Sequence, residues 1–239
     1  MKTRTNNSQK IKRITIIGLF IALAYAVSAV LPIKVSFLTL DFKDVISTVC
    51  GMFFGPVAGI ICAAIVPFVE MITTSETGLY GLVMNLLSSV TFVGIASIIY
   101  KYKKTIWGAV IGLATASVAT MGIMTLANIL ITPYYLEFAM KMPLQVAKDT
   151  VKTLLPTTII PFNVVKSILN ASLVMALYKP VSRALKGMGL AKSSAPKKEL
   201  SAEEKANLKM RSLLVSVLSI FVIIVAFWVV FFVLEGKFN

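Results

Sequence analysis

Apolar residues fall along the chain in blocks, most of them long enough to cross a bilayer, with polar residues between. A spanning helix needs about 20 residues at 1.5 Å rise per residue. The blocks predict helices over residues 14–31, 44–54, 57–72, 79–100, 106–131, 156–180 and 212–234. Pro32, Gly55-Pro56 and Pro133 punctuate them. Segment 44–54 is little more than half a span, so it is either strongly tilted or does not cross. Residues 33–43 form a loop of mixed character, a longer polar loop runs from Pro133 to Pro156, and Ser201-Ala-Glu-Glu204 fits a capping box that starts a short soluble helix.

The pattern is broken most sharply in 156–180. Asn163, Lys166 and Asn170 stand at i, i+3 and i+7 and share one stripe of an otherwise apolar helix. An ionisable side chain at mid-bilayer costs about 2.5–3.5 kcal/mol on insertion scales, so the stripe is expected to turn inward, the alternative being that Lys166 snorkels to an interface while the asparagines join helix to helix. On the first helix Gly18, Ala22 and Ala26 make a stripe of small residues that lets another helix approach closely.

Composition makes the class firm. Of 239 residues, 57% are hydrophobic and 14% charged, with mean hydropathy +0.87, the profile of an all-α, multi-pass integral membrane protein. The two cysteines form no CxxC motif, and without histidine, imidazole-based zinc sites, triads and proton relays are excluded. The net charge of +14 is a matter of topology. Most basic residues lie in the first 13 residues, at Lys101, Lys103 and Lys104, and in the stretch 179–211. The positive-inside bias puts the N-terminus in the cytoplasm, with these segments against anionic lipid and no nucleic-acid partner.

With that orientation, Asn163, Lys166, Asn128, Asn85 and Glu70 fall at one depth, the outer third, near Asp41, Lys43 and Asp44 of the first outer loop. The expectation is a cup open to the exterior, with loop 33–43 as its lid. A stand-alone transporter would set its polar site near the midplane. Asparagines pair donor and acceptor for an amide or imide edge, a lysine reaches a ring carbonyl, and Phe37, Leu38, Leu40, Phe42, Tyr80 and Met84 offer apolar surface. The cup suits an amphipathic heterocycle. A polyphosphate would call for arginines, which are confined to the cytoplasmic segments.

Four runs carry a resemblance: Phe37-Leu-Thr-Leu-Asp-Phe-Lys-Asp-Val45, Gly51-Met-Phe-Phe-Gly-Pro56, Glu76-Thr-Gly78 and Pro161-Phe-Asn-Val-Val-Lys166. Over residues 10–182 the chain resembles riboflavin-specific substrate-binding subunits (S components) of energy-coupling factor transporters. The resemblance implies a six-helix vitamin-binding bundle in the plasma membrane, with no enzymatic activity and no cofactor beyond its transported riboflavin or riboflavin monophosphate (FMN). It implies as partners a transmembrane coupling subunit, which would contact Ala22 and Ala26, and two cytoplasmic ATPases. Asn128, Asn163 and Lys166 would bind the isoalloxazine ring, while Leu38, Thr39, Leu40, Asp41 and Lys43 would close over the ligand and meet its ribityl hydroxyls. Asn85 and Glu70 join the site by depth alone. The expected organisation is a binding domain over 1–182, a basic cytoplasmic linker over 183–211 and one additional transmembrane helix over 212–234. The alternatives are an S component for another vitamin and a stand-alone secondary transporter.

Overall fold

The structure, a computed structural model, describes residues 2–187 and 202–238. It is a helical bundle with one small sheet at one end. Helix α1 (Lys2–Val30) leads into strands β1 (Ile33–Val35) and β2 (Leu38–Leu40), then α2 (Lys43–Phe54), α3 (Pro56–Thr73), α4 (Gly78–Tyr102) and α5 (Ile106–Met140). After these come α6 (Leu144–Leu154), a π-helical turn over Leu155–Ile159, α7 (Ile160–Gly187), α8 (Ala202–Trp228), a second π-helical turn over Val229–Val233, and β3 (Lys237–Phe238). Among the described residues six stretches are long and apolar enough to cross a membrane, Leu144–Leu185 counting as one. The chain is a multi-pass membrane protein.

Helix α2 has 12 residues and is too short to be among the six. It packs as a V with α3. Gly55 sits at the apex with φ 102° and ψ 158°, a conformation that disfavours a Cβ, and Pro56 starts α3 with its φ already helical. The arms of the V touch where Gly51 meets Gly59. A Cβ on Gly59 would lie 2.6 Å from the Gly51 Cα.

Helix α1 begins well before the expected residue 14 and α7 runs past residue 180, and three further boundaries differ from the sequence expectation. Helix α5 does not stop at residue 131 but continues through Pro133 to Met140. A proline removes one helical hydrogen bond, and a helix carries that loss when later turns are packed. Here Leu136 buries against Ala147, Val151 and Ile159. The expected polar loop up to Pro156 is therefore largely helical. Its α6 buries Ala147 and Val151 and turns its charged face outward, and it joins α7 through the π-helical turn that contains Pro156. In the third case, α8 begins at Ala202, so the expected soluble helix and the last span are one element. The capping residue Ser201 lies outside the described residues.

Residues 33–43 are not simply a loop. Strands β1 and β2 pair antiparallel around Ser36-Phe37, with Ile33 opposite Leu40 and Val35 opposite Leu38. The main core runs from Ile33, Val35, Leu40 and Phe42 down through Val45, Val49, Phe92, Leu113 and Leu169. The hairpin is thereby rooted in the bundle.

Candidate functional site

Under the hairpin lies a buried ionic network that joins four helices and the hairpin itself. Lys43 Nζ, at the start of α2, donates to Asp41 Oδ2 at 3.0 Å and to Glu70 Oε2 at 2.8 Å. Glu70 in the last turn of α3 also accepts from Ser28 Oγ of α1. Lys166 Nζ of α7 reaches Asp41 Oδ2 at 3.0 Å and the Thr39 carbonyl at 3.3 Å. Lys43 and Asp41 are each 2% exposed, Glu70 6% and Lys166 7%. Such groups stay charged inside a protein only when paired. Burial raises the Asp41 carboxyl, but Lys166 and Lys43 beside it outweigh burial and bring it down from the ordinary 3.8 to about 2. Its folded value lies below its unfolded one. Its stabilisation is therefore complete above about pH 4 and is lost as the pH falls toward 2, leaving the network intact at neutrality.

Next to this network lies a partly open cavity of two lobes that share four lining residues. The smaller lobe, about 70 Å³, is lined by Phe37, Leu38, Tyr80, Met84, Met124, Phe162, Asn163 and Lys166 among others. The larger, about 270 Å³, is lined by Ser28, Lys34, Asp41, Lys43, Glu70, Glu76 and Tyr135 among others. Phe37, Thr39, Thr77 and Asn85 belong to both. Both lobes mix polar and apolar surface; the smaller carries two amides and an ammonium group, and the larger holds the carboxylates. Tyr80 and Tyr135 stack between them with ring centroids 4.1 Å apart, and Tyr80 exchanges a hydrogen bond with Thr132 at 2.9 Å. Lys34 of β1 pairs with Glu76 of the α3–α4 loop at 2.6 Å, which ties the hairpin across the larger lobe.

Of the residues singled out in the sequence, Leu38, Thr39, Asn85, Asn163 and Lys166 line the smaller lobe, and Asp41, Lys43 and Glu70 the larger. The Asn163 amide nitrogen donates to the Ile159 carbonyl at 2.8 Å, which fixes the orientation of its side chain. Asn128 lines neither lobe. It is fully buried, donates to the Met124 carbonyl at 2.7 Å and accepts from Thr132 at 3.0 Å, and so stands behind the Tyr80 hydroxyl. Leu40 and Phe42 face the core rather than the cavity. Asn170, the third member of the α7 stripe, is buried beside Asp44 at 3.5 Å. Ser28 and Tyr135 line the larger lobe without a clear signal in the sequence. A serine on a spanning helix is most often a packing residue, and Tyr135 follows the proline that seemed to close α5.

On α1, Gly18, Ala22 and Ala26 are exposed, and a Cβ on Gly18 would meet nothing within 4 Å. Ala24 and Ser28, on the opposite face, are buried. The small-residue stripe therefore does not pack inside the bundle.

A family model described as "ECF transporter, substrate-specific component" matches residues 12–178. The chain belongs to the substrate-specific (S) components of ECF transporters. Among curated relatives, this S component is 29% identical over 187 residues to "Riboflavin transporter RibU" of Staphylococcus aureus (strain TCH60), covering 77% of this chain and 97% of that one. It is 26% identical over 180 residues to "Riboflavin transporter FmnP" of Bacillus subtilis (strain 168), covering 72% and 94%. A solved S component of a bacterial ECF transporter superposes with a TM-score of 0.58 at 28% identity, over 74% of this chain and 99% of that one. The six-helix bundle with one further helix, expected from the sequence, is the fold of this S component.

Proposed function

We propose that this S component binds riboflavin in the two-lobed cavity, taking it up from outside the cell. The polar edge of the isoalloxazine ring enters the smaller lobe against Phe37, Tyr80 and Met84, toward Asn163, Asn85 and Lys166, and the rest of the ring lies along Thr39 and Thr77, which both lobes share. Lys166 has three N–H donors and spends two on Asp41 and Thr39, so one remains for a ring carbonyl. The ribityl chain extends into the larger lobe. One observation supports this most strongly: Asn85 of α4 and Asn163 and Lys166 of α7 converge on the smaller lobe beside Phe37, Tyr80 and Met84, the few polar groups on an apolar wall that fix a flat heterocycle. The names of the curated relatives point to the same vitamin.

In this reading the N-terminus is cytoplasmic, the membrane is the plasma membrane, and the subunit performs no chemistry. Energy comes from two cytoplasmic ATPases through a coupling subunit, whose helix packs on the exposed stripe Gly18, Ala22 and Ala26.

Asn163→Ala and Lys166→Ala should each weaken riboflavin binding by about 1–3 kcal/mol, about five- to a hundredfold, in a titration read by flavin fluorescence. Two variants that bind like the parent would move the site elsewhere. FMN should compete at least about tenfold less well than riboflavin. The larger lobe carries Asp41, Glu70 and Glu76, and its lysines Lys34 and Lys43 are already paired with them. A phosphate there meets carboxylates and no arginine. Equal competition by the two flavins would contradict this placement of the ribityl tail.

A further inference from the structure

The family match ends at residue 178, and nothing in it accounts for α8 and β3. A simple lipid anchor would need no particular seat on the bundle, yet α8 has one. Ala226 of α8 and Val230 of the π-helical turn that continues it are buried in the same core cluster as Ile33, Val35, Leu40 and Phe42, and the Phe227 ring lies 6.2 Å from that of Phe42. Beyond the second π-helical turn, Glu235 takes a left-handed φ of 51°, unusual for a residue with a side chain, and turns the chain back toward the hairpin. The Gly236 amide donates to the Val230 carbonyl at 2.9 Å. There is no room for a side chain at that position. A Cβ would stand 2.7 Å from Val230 Cγ1 and 3.2 Å from Ile33 Cγ2.

The chain then adds β3 to the hairpin, so that the sheet order is β2-β1-β3 and Ile33 and Lys34 oppose Phe238 and Lys237. Two strands of three residues make a marginal unit in isolation, and a third strand on the open edge of β1 stabilises it. On its other side the hairpin is held by the Lys34–Glu76 ion pair and by Lys166 on the Thr39 carbonyl. Lifting the hairpin off the cavity thus requires either parting β1 from β3 or dragging the end of α8 along.

We propose that α8 and β3 are a built-in clamp on the hairpin that roofs the cavity, and that this clamp sets how fast ligand enters and leaves. The proposal rests on the reading that the cavity holds riboflavin. It is tested with two full-bundle variants, Gly236→Val, which cannot seat the turn, and a deletion of residues 235–239, which removes β3 outright. Hydrogen exchange of residues 33–40 in the ligand-free protein should quicken about tenfold in both, and riboflavin dissociation in stopped flow should speed up about five- to tenfold. Phe221→Ala, on the exposed face of α8, should leave both rates unchanged. Unaltered exchange of the hairpin in the deletion variant would overturn the clamp. Faster exchange with unaltered dissociation would overturn its control of ligand. A parent protein that binds no riboflavin would overturn the ligand reading instead, and the exchange rates would still decide whether β3 holds the hairpin.

Discussion

Replacing Lys43 with alanine should lower the stability of this S component by about 3–5 kcal/mol, the usual loss when one member of a buried ion pair is removed. The reason is what the change leaves behind. Lys43 donates to both Asp41 and Glu70, and each is almost wholly buried. Without it, among the described residues Glu70 retains the Ser28 hydroxyl as its one side-chain partner, and Asp41 retains Lys166. Asp41, Glu70 and the nearby buried Asp44 would then share one buried cation, Lys166, and will either take up a proton or open the structure to water. A paired change, Lys43→Met with Glu70→Gln, should lose less than Lys43→Ala alone, because no unpaired charge is created at that end of the network. Thermal unfolding in detergent measures both. A Lys43→Ala protein within about 1 kcal/mol of the parent would show that the network is not held as described.

Gly59→Leu should be comparably damaging, with a loss of about 3 kcal/mol or more, at the upper end of what overpacking costs. Its Cβ would lie 2.6 Å from the Gly51 Cα and 3.0 Å from Val93 Cγ1, and the Gly51 backbone cannot move aside as a side chain could. The arms of the V would have to part. That V carries Lys43 at the start of α2 and Glu70 near the end of α3, so the injury reaches the ionic network from a position well away from it. The variant should unfold at lower temperature and also bind flavin less well. Gly18→Leu, on the exposed stripe of α1, serves as the contrast, since a Cβ there has open space and stability should hold. Equal stability of Gly59→Leu and the parent would mean that the helices do not cross at these glycines.

Much of this was legible because polar residues are costly inside a bilayer. Asn163, Lys166 and Asn170 stand out in 156–180 for that reason, and in the fold all three are buried. The charges at Asp41, Lys43, Asp44 and Glu70 were visible as residues at one depth. Their pairing was not, because it depends on how α2, α3 and α7 cross. Pro133 was misleading, since proline weakens a helix locally while packing of Leu136 against α6 holds the turns beyond it. The seat of α8 was also hidden. The inward face of this helix and of the π-helical turn that continues it, Ala226 and Val230, is as apolar as the outward one, and a two-residue strand leaves almost no periodic trace. The resemblance over residues 10–182 carried the family, and the match over 12–178 agrees with it.

The central claim is that one flavin fits the cavity beneath the hairpin. Its most direct test is the absorption spectrum of the purified protein after saturation with riboflavin and removal of the unbound vitamin. The protein should be yellow and carry one flavin per chain, with the flavin's fluorescence quenched and the colour lost in an Asn163→Ala, Lys166→Ala double variant. A folded parent protein that emerges colourless would contradict it.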